Sequence, residues 1–549
     1  MGKVGYFTAE IGLWSDLKTY SGGLGVLAGD HVKSAADSEI PLVGVTLLYR
    51  QGYGRQHLDP DGIQTETYPD VDPNKHLQKT DITITLDLDG KDIRASVWKV
   101  DIVGVTGHIV PVYFLDTLRD DNTEDHKNLS RRLYGGGDET RIRQEYLLGV
   151  GGVQLFDYLG EDLAGLHLNE GHCTFAMLEL LHRGWTREEL AENSLFTTHT
   201  PVPAGHDRFD WKLVKDIMGD KLPDDAIELV KKAGDSENGA RCSMSHLAVS
   251  LSTSVNAVSR LNAMVASGMF ADRQITPITN GIHHITWTGP IMSKLFDQYL
   301  SGWKEDPNIL KSANSIPSSA LIQARKESRN HLINRVKSET GIEFSEDRLT
   351  IGFARRFATY KRANLVFHDI ERLRELGAGK IQFVFSGKAH PRDQGGKDLI
   401  KSIFESAGEI ENDIPVAFLE DYDMSIGLDM TSGVDIWLNN PIRPMEASGT
   451  SGMKAAMNGV PNCSILDGWW PEACIHGENG WAIGNGEDDR DDERDASNIY
   501  STLSKDVLPV WDLESEKWAD IMRASIVASS DFTGKRMIDD YVEFYNKFG

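Results

Sequence analysis

Cysteine is scarce in this sequence, and its few cysteines form no recognisable pattern. There are four, Cys173, Cys242, Cys463 and Cys474, with no Cys-x-x-Cys pair and too low a density for a disulfide framework. At 549 residues the chain is instead long enough to bury two large hydrophobic cores. These features indicate a protein of a reducing compartment, and we expect it to be cytoplasmic.

Long apolar runs and an excess of positive charge are also missing. No stretch approaches the roughly 18 consecutive apolar residues of a membrane span, and the N-terminal MGKVGYFTAEIG does not resemble a signal peptide. The chain carries 83 acidic and 57 basic residues, a formal net charge of −26. Because this charge repels polyanions on average, we expect no nucleic-acid partner. The lack of a long apolar run leads us to expect no membrane partner.

The pattern of short apolar runs predicts an α/β protein. The segments PLVGVTLLY, LTIGFA, IQFVFSG, PVAFLE and VDIWLNN are typical of strands, and helical patterns such as LVFHDIERLRELG and KDLIKSIFESAG separate the last four. This alternation favours a parallel, doubly wound sheet. We predict two Rossmann-like doubly wound domains that face a central cleft, with ligands at the carboxyl ends of strands.

The domain limits follow from changes in pattern along the chain. The segment DITITLDLDGKDIRASVWKVDI alternates with period two around an Asp-Gly turn, which predicts an antiparallel hairpin inserted in the first half. A strand-poor helical stretch over about 290–346 marks the expected seam. We predict domains at 1–289 and 290–520, with a C-terminal helix in 521–549 that packs back on the first domain. The acidic run EDDRDDERD at 487–495 is interpreted as a solvated loop.

Four basic residues are crowded at the end of one predicted strand. The strand LTIGFA ends at Ala354, and the next segment, RRFATYKRA, contributes Arg355, Arg356, Lys361 and Arg362. Like charges repel one another unless an anion lies among them, and the guanidinium fork suits phosphate. An anion site is favoured here, although a salt-bridged start of a surface helix remains an alternative. A second, weaker indication is the glycine-rich segment YSGGLG before a helix expected to begin near Val26.

The segment EASGTSGMKAAMNG, residues 446–459, combines an anion-binding pattern with a lysine. Ser448, Gly449, Thr450 and Ser451 are expected at the start of a helix that Gly459 ends, where hydroxyls and free N–H groups favour phosphate. Lys454 follows Thr450 by four residues and shares its helical face. Pyridoxal phosphate needs both a lysine and a phosphate cradle, so this cofactor is plausible. Apolar neighbours are expected to lower the pKa of the lysine, whereas a solvated helix lysine is the ordinary alternative.

Several histidines lie in other distinctive segments. His199, in TTHTPVPAGH after a predicted strand, is expected to contact a ligand, since its prolyl loop is rigid and near a strand end. His206 and His284 are interpreted as structural residues. His167, Glu170 and His172 lack the spacing of a helical metal motif, so no metal is predicted.

Taken together, these motifs resemble those of a known family. The segments YSGGLGVLAGDH, LNEGHCTFAMLELL, TTHTPVPAGHDRF, TNGI, ARRFATYKRA and EASGTSGMKAAMNG are similar to those of the α-glucan (glycogen, starch, maltodextrin) phosphorylases, most closely to the short prokaryotic branch. The resemblance implies a GT-B-type glycosyltransferase fold with a first domain for glucan and phosphate and a second for pyridoxal 5'-phosphate. It also implies a reaction: α-1,4-glucan and inorganic phosphate would give glucose 1-phosphate and a shortened glucan with retention, the cofactor phosphate acting as proton relay.

The resemblance assigns roles to individual residues. Lys454 would bind the cofactor covalently, Thr450, Ser451 and Arg355 would hold its phosphate, and Tyr422 would lie near its ring. Arg356 and Lys361 would bind the substrate phosphate together with the backbone N–H of Gly23. Sugar contacts are implied for His199, Asn280, Tyr360, Glu446, Ser448 and Gly449. The catalytic set would therefore be Lys454, Arg356, Lys361 and His199, without a metal.

Some features depart from the family pattern. Many members have Lys-Arg where this chain has Arg355-Arg356, and Asp423 stands after Tyr422 where the animal enzymes have arginine. The chain begins almost at its first motif, so we expect an enzyme without the effector and phosphorylation sites of the animal relatives. A homodimer is one assembly that the resemblance leaves open.

Two other functions remain as alternatives. A nucleotide-sugar glucan synthase of the same fold would also use a glycine-rich loop and a basic pair, but it would not need Lys454. A non-catalytic glucan-binding protein on the same fold is the second alternative, and the intact motifs argue against it.

The basic cluster yields a first testable prediction. Replacement Arg356→Ala removes a charge-assisted contact worth about 1.5–3 kcal/mol, so the KM for inorganic phosphate should rise about tenfold or more. Initial phosphorolysis rates at varied phosphate measure this effect. An unchanged KM would contradict the role of Arg356.

Overall fold

The chain divides into two compact units. The computed structural model describes residues 2–88, 90–201 and 205–549. The first unit comprises the described residues up to Gly54, together with Tyr68–Asn280 and Lys535–Gly549; the second comprises Arg55–Thr67 and Gly281–Gly534. This division differs from the expected one, since the second unit begins at 281 rather than 290 and extends to 534 rather than 520. No pattern in the sequence indicates that residues 55–67 belong to the second unit.

The strands in the described residues are mostly short. Their bounds are β1 (Lys3–Thr8), β2 (Leu42–Leu47), β3 (Arg55–Leu58), β4 (Gln64–Thr67), β5 (Gln78–Leu88), β6 (Lys91–Val103), β7 (Ile109–Asp116), β8 (Leu163–Asn169), β9 (Ser194–Thr198), β10 (Arg208–Phe209), β11 (Cys242–Ser243), β12 (Ser254–Ala257), β13 (Ile275–Pro277), β14 (Leu349–Ala354), β15 (Ile381–Ser386), β16 (Val416–Leu419), β17 (Ile436–Asn439), β18 (Asn462–Ile465) and β19 (Gly480–Ile483).

The helices alternate with these strands. Their bounds are α1 (Gly23–Asp37), α2 (Glu124–Lys127), α3 (Asp138–Tyr146), α4 (Gly152–Leu159), α5 (Phe175–His182), α6 (Arg187–Glu192), α7 (Trp211–Met218), α8 (Ala226–Lys232), α9 (Met244–Leu251), α10 (Arg260–Met269), α11 (His284–Trp287), α12 (Pro290–Tyr299), α13 (Ser318–Thr340), α14 (Ile370–Gly377), α15 (Gln394–Ile410), α16 (Met424–Gly433), α17 (Thr450–Met457), α18 (Trp470–Ala473), α19 (Asp492–Thr502), α20 (Glu516–Ser529) and α21 (Gly534–Tyr545). No helix among the described residues combines the length and apolar character that a membrane span requires.

A nine-stranded sheet forms the centre of the first unit as far as it is described. Its order is β13-β12-β9-β8-β1-β2-β7-β6-β5. Neighbouring strands from β13 to β7 are parallel, whereas β7, β6 and β5 pair antiparallel. The predicted antiparallel hairpin is therefore confirmed as β5 and β6, which extend the main sheet, whereas Asp89 of the predicted Asp-Gly turn lies outside the described residues.

The period of two along its strands lets this sheet bury both faces. In β7, Val112 and Phe114 belong to one core cluster and Tyr113 and Leu115 to the other. Helix α21 from the C-terminal end of the chain covers the face that contains Val112. On that face the hydroxyl of Tyr545 lies 2.9 Å from His31 Nε2 and 2.7 Å from His167 Nδ1, so two buried imidazoles are hydrogen-bonded by one residue.

The second unit contains a six-stranded parallel sheet in the order β16-β15-β14-β17-β18-β19. Counted from β14, the order is third, second, first, fourth, fifth, sixth, so the direction in which strands are added reverses between β14 and β17. Strands β14 and β15 are buried along their whole length, which explains why they appear as unbroken apolar runs in the sequence. The five strands predicted from such runs are all present.

A buried arginine joins two helices of the second unit at their carboxyl ends. Arg325, in α13, donates hydrogen bonds to the carbonyl oxygens of Ser432 and Val434 at the end of α16. It also donates to the carbonyl oxygen of Asn458, at 3.3 Å, at the end of α17. Carbonyls at a helix end lack partners and carry partial negative charge, so one guanidinium stabilises both helix ends. Gly459, at φ +70°, follows α17 and ends it as predicted.

Helix α1 begins at Gly23, earlier than the expected start near Val26, and it packs unusually close to the preceding loop. A Cβ atom added at Gly29 would lie 1.9 Å from the carbonyl oxygen of Gly12. Only glycine fits such a contact between two backbone segments. A larger residue at position 29 would push α1 away from the loop and would displace its first residue, Gly23.

Replacement Gly29→Ala should destabilise the protein by about 1–3 kcal/mol, because neither backbone segment can yield without displacing the helix. Gly268→Ala in α10 is the matched control, since a Cβ there meets nothing within 4 Å and alanine should stabilise the helix by about 0.5–1 kcal/mol. Thermal unfolding by calorimetry measures both. Equal midpoints for the two variants would contradict the close packing.

Candidate active site

The carboxyl ends of β14 and β17 bring two of the predicted segments together. The two strands pair through Ile351 with Ile436 and Gly352 with Trp437. Arg355 directly follows β14, and its Nη1 donates to Oδ1 of Asn439 at the end of β17. Ligands of open parallel sheets bind where the strand order reverses, which is at this pair.

Two buried cations share one carboxylate in this region. Arg355 Nη2 lies 2.7 Å from Glu446 Oε2, and Lys361 Nζ lies 3.5 Å from the same atom. All three residues are buried. Burying charges is costly unless they are paired, and here the chain supplies the anion itself. The predicted anion site is thus occupied by Glu446 in the structure.

The protonation of Lys361 and Glu446 reflects this arrangement. Burial, reinforced by Arg355, lowers the pKa of Lys361 to about 7, although Glu446 opposes the shift. Burial acts to raise the pKa of Glu446, but Arg355 and Lys361 outweigh it and hold that pKa below its usual value. Lys361 therefore changes its charge near neutral pH, while Glu446 stays ionised.

Arg362 does not belong to the anion site, contrary to the sequence prediction. Its Nη1 lies 3.0 Å from Asp492 Oδ1 and 2.8 Å from Asp495 Oδ2. Its Nη2 donates to the carbonyl oxygen of Pro441. The interpretation of 487–495 as a solvated loop was correspondingly wrong at its C-terminal end, where Asp492 begins helix α19 and Asp495 is buried.

The remaining side chains near β14 and β16 differ in exposure. Arg356 is exposed and still contributes to lowering the pKa of Lys361. The ring of Tyr360 is half-buried, with Lys361 Nζ 5.2 Å from its centroid. Tyr422 follows the segment of β16, and burial raises its pKa to about 12. Asp423 caps helix α16, accepting the N–H of Ile426 at 2.9 Å, which gives this residue a structural role.

Helix α17 presents its N-terminus without a side-chain cap. Gly449 precedes it at φ +85°, and no side chain in the described part of the chain caps this helix start with a hydrogen bond. The hydroxyl of Ser451 accepts the indole N–H of Trp437 at 3.2 Å. Such a helix start offers free donors and a partial positive charge to an anion.

Lys454 is buried one turn into α17, with only 5% of the residue exposed. Its Nζ lies 3.5 Å from the ring centroid of Trp287, a buried residue at the end of α11. An aromatic face stabilises an ammonium group that has left water. Sequence reasoning missed Trp287, although it follows His284 by only three residues.

The donor set at this place fits a cofactor with an aldehyde and a phosphate. The amine of Lys454 and the uncapped start of α17 lie on one short helix. Arg355 Nε and Ser448 Oγ are buried and have no hydrogen-bond partner among the described residues. Buried polar atoms are normally satisfied, so these two atoms point to a ligand that brings acceptors.

Gly23, His199 and Asn280 belong to the first unit. Gly23 is the exposed first residue of α1, and no side chain that the structure describes caps this helix. A Cβ added at Gly23 would meet no atom of the described residues within 4 Å. Asn280 is buried, and its Oδ1 has no hydrogen-bond partner among the described residues. The prolyl loop predicted after His199 falls on residues 202–204, which lie outside the described residues.

His199 is held by two neighbours that the sequence did not indicate. A 2.6 Å hydrogen bond joins its Nε2 to Asn169 Oδ1, and its backbone N–H donates to Glu170 Oε1 at 2.5 Å. Burial lowers the pKa of His199 to about 4, so the ring is neutral at pH 7. Glu170 adopts φ +75°, a strained conformation for a residue other than glycine. Glu170 therefore combines a strained backbone with a carboxylate that accepts the backbone N–H of His199.

Three other histidines singled out in the sequence, His167, His206 and His284, have partners within the fold. His206 Nδ1 lies 2.8 Å from Ser245 Oγ, and His284 Nε2 lies 2.9 Å from the carbonyl oxygen of Lys304, so both are packed as structural residues. His167 is hydrogen-bonded to Thr197 and Tyr545. Among the described residues, no group of three or more His, Cys, Asp or Glu side chains is arranged to hold a metal ion.

Comparison with known proteins identifies the family. The family model described as carbohydrate phosphorylase matches residues 206–476. The chain is 37% identical to the maltodextrin phosphorylase of Thermococcus litoralis, over 99% of this chain and 70% of that protein. It is 35% identical to the glycogen phosphorylase of Aquifex aeolicus, over 99% of this chain and 86% of that protein. An uncharacterized protein of Methanocaldococcus jannaschii is 31% identical over 99% of both chains.

These matches, together with the motifs that meet at β14, β17 and α17, place the chain in one family. It belongs to the carbohydrate phosphorylases, as the sequence motifs indicated.

Anion binding at the Arg355–Lys361 pair should take up protons. Lys361 is largely neutral at pH 8 in the free protein, and a bound anion favours its charged form, so its pKa should rise on binding. Sulfate is the probe, because it does not change its own protonation in this range. Titration calorimetry at pH 8 in two buffers of different ionisation enthalpy should detect an uptake between zero and one proton.

The variant Lys361→Arg is the control for this measurement. It keeps the positive charge, but a guanidinium does not titrate near pH 8, so the uptake should fall. Equal proton uptake by the variant and the unchanged protein would rule out Lys361 as the titrating group.

Proposed function

We propose that the chain is a pyridoxal phosphate-dependent α-glucan phosphorylase. It transfers the terminal glucosyl unit of an α-1,4-glucan or maltodextrin to inorganic phosphate, with retention at the anomeric carbon, and yields glucose 1-phosphate and a shortened glucan. The names of the relatives support the class of substrate, since they include a maltodextrin phosphorylase and glycogen phosphorylases. The GT-B-type arrangement of two Rossmann-like domains is part of this proposal.

One observation carries the proposal: a buried lysine lies one turn from an uncapped helix start and in the same unit as two buried cations. Lys454, α17, Arg355 and Lys361 provide these features. A nucleotide-sugar enzyme would use the cations but would gain nothing from a buried amine. The stacked amine of Lys454 supports a covalent attachment point for the cofactor.

The cofactor would be held by residues of the second unit. Lys454 would attach its aldehyde, Thr450, Ser451 and Arg355 would hold its phosphate, and Tyr422 would lie beside its ring. When bound, the cofactor supplies a phosphate group that can relay a proton to inorganic phosphate.

The residues of the chain itself bind and orient the substrates. Arg356 and Lys361 bind inorganic phosphate, and the gain of charge on Lys361 strengthens that contact. Arg355 and Lys361 together allow two phosphate groups to lie close to each other, since fixed positive charge offsets their repulsion. Glu446, Ser448 and Gly449 bind sugar hydroxyls. When the sugar binds, Glu446 replaces part of its contact with Arg355 and Lys361 by a contact with the sugar.

Other roles implied by the resemblance stay predictions. They are the contacts of Tyr360, His199 and Asn280 with the sugar, the contact of the Gly23 N–H with phosphate, and assembly as a homodimer. The neutral ring of His199 would favour it as a hydrogen-bonding group rather than as a cation.

Replacement Lys454→Ala should abolish cofactor binding and phosphorolysis together. Purified protein incubated with pyridoxal phosphate should show the absorbance of a lysine adduct, and maltodextrin with phosphate should release glucose 1-phosphate; the variant should do neither. Lys517→Ala, at an exposed lysine of α20, is the control that should retain both properties.

Two outcomes would contradict this function. Retention of the absorbance or the activity by Lys454→Ala would remove the lysine from the chemistry. Absence of the adduct in the unchanged protein, with transfer from a sugar nucleotide to glucan, would favour the glucan synthase alternative.

A further inference from the structure

Asp467 lies next to the sugar-binding loop, and the proposed chemistry does not use it. It follows strand β18 and is fully buried, with 0% of the residue exposed. Its Oδ2 accepts the backbone N–H of Glu446 at 3.0 Å, and its Oδ1 accepts the N–H of Gly468 at 2.8 Å. One carboxylate therefore bridges the loop that contains Glu446 and its own turn.

The turn at residues 467–469 makes a second backbone contact with that loop. Trp469 donates its N–H to the carbonyl oxygen of Ser448 at 2.9 Å. Gly468 adopts φ +58°, and a Cβ added there would lie 2.2 Å from the same carbonyl oxygen. The turn thus contacts the main chain at both Glu446 and Ser448, two of the three residues proposed to bind sugar hydroxyls.

Burying a carboxylate in such a turn is unfavourable in free energy. A buried aspartate with no ion pair among the described residues is costly, and a neutral side chain could accept one N–H at less cost. Burial, with the charge of Glu446, raises the pKa of Asp467 to about 7, although the two N–H groups and Arg443 oppose the shift. Because this pKa lies near neutral pH, Asp467 becomes increasingly ionised above pH 7, where its negative charge can act on Glu446.

The charge has two effects on Glu446. A bond from a backbone N–H to an ionised acceptor is stronger than one to a neutral acceptor, so it fixes the main chain more firmly. Two like charges also repel, and this favours the orientation in which the Glu446 carboxylate meets Arg355 and Lys361, as observed.

We propose that Asp467 is a positioning residue for sugar binding: it fixes the Glu446 main chain and directs the Glu446 carboxylate towards the site. The inference rests on the proposed function, because it assumes that Glu446 contacts the sugar. Asp467 itself touches no substrate and no reacting atom.

The variant Asp467→Asn tests this inference, with Asp435→Asn as the matched control. Asp435 is also a buried aspartate of the second unit, and its Oδ2 accepts the N–H of Thr350 at 2.8 Å and pairs with Arg329 at 2.9 Å. Both variants should lower the thermal-unfolding midpoint. Only Asp467→Asn should weaken the affinity for glucose 1-phosphate, by about tenfold, the size expected for a displaced charge-assisted contact.

The affinity is measured by calorimetry on the cofactor-loaded protein, and turnover is measured separately. We expect the KM for the sugar substrate to rise about tenfold with Asp467→Asn, while kcat and the cofactor absorbance change little. Asp467→Ser is the second variant if the first does not fold, since its hydroxyl can still accept the Gly468 N–H.

A double-mutant cycle with Glu446→Ala separates positioning from a general loss of structure. If Asp467 acts through Glu446, then Asp467→Asn should have little further effect on affinity in the Glu446→Ala background. Additive losses, or an equal loss of affinity in Asp435→Asn, would overturn the inference while leaving the proposed function intact. If the unchanged protein neither binds glucose 1-phosphate nor releases it from glucan, the proposed function fails, and the inference fails with it.

Discussion

The contact of Glu446 with Arg355 and Lys361 is the interaction on which the candidate site depends. Two cations buried side by side repel each other and lose hydration, and one carboxylate offsets both costs. Because the anion belongs to the protein, the cluster can form without a ligand. Glu446 only partly offsets the effect of burial on Lys361, since the pKa of this lysine is lowered to about 7 even with the carboxylate present. An anion that bound here would therefore meet cations that are already assembled and a lysine whose charge can still change.

The helix that contains Lys454 is held at both of its ends by distant parts of the second unit. At its start, the loop of Glu446 and Ser448 is bonded to the turn that contains Asp467. At its end, Arg325 bonds the carbonyl of Asn458 and ties α17 to α16. Such fixation at both ends gives a short helix the rigidity that a site requires, although a helix of eight residues would not persist alone.

Sequence reasoning succeeded where the signal is local. The buried strands, the hairpin at β5 and β6, and the helix that contains Lys454 could be predicted because the relevant residues are neighbours in the chain. It failed where the decisive partner is remote. Arg362 was assigned to the anion site because the sequence does not show that Asp492 and Asp495 fold against it. Trp287 and Asp467 were missed for the same reason, and the 55–67 segment has no pattern that assigns it to the second unit.

The helix α21 has a consequence for how the protein is made. The core of the first unit on one face of its sheet includes Met537, Ile538, Tyr541 and Tyr545, packed with Val4 and Tyr6 near the other end of the chain. The ribosome synthesises the whole of Gly281–Gly534 after the sheet and before α21. At about 5–20 residues per second, this takes on the order of ten to fifty seconds. During that interval the residues that pack against α21, and the two imidazoles that Tyr545 later bonds, lack this helix, although α1 can already pack on the same face. The core on this face of the first unit is therefore completed only after the segment Gly281–Gly534 has been synthesised.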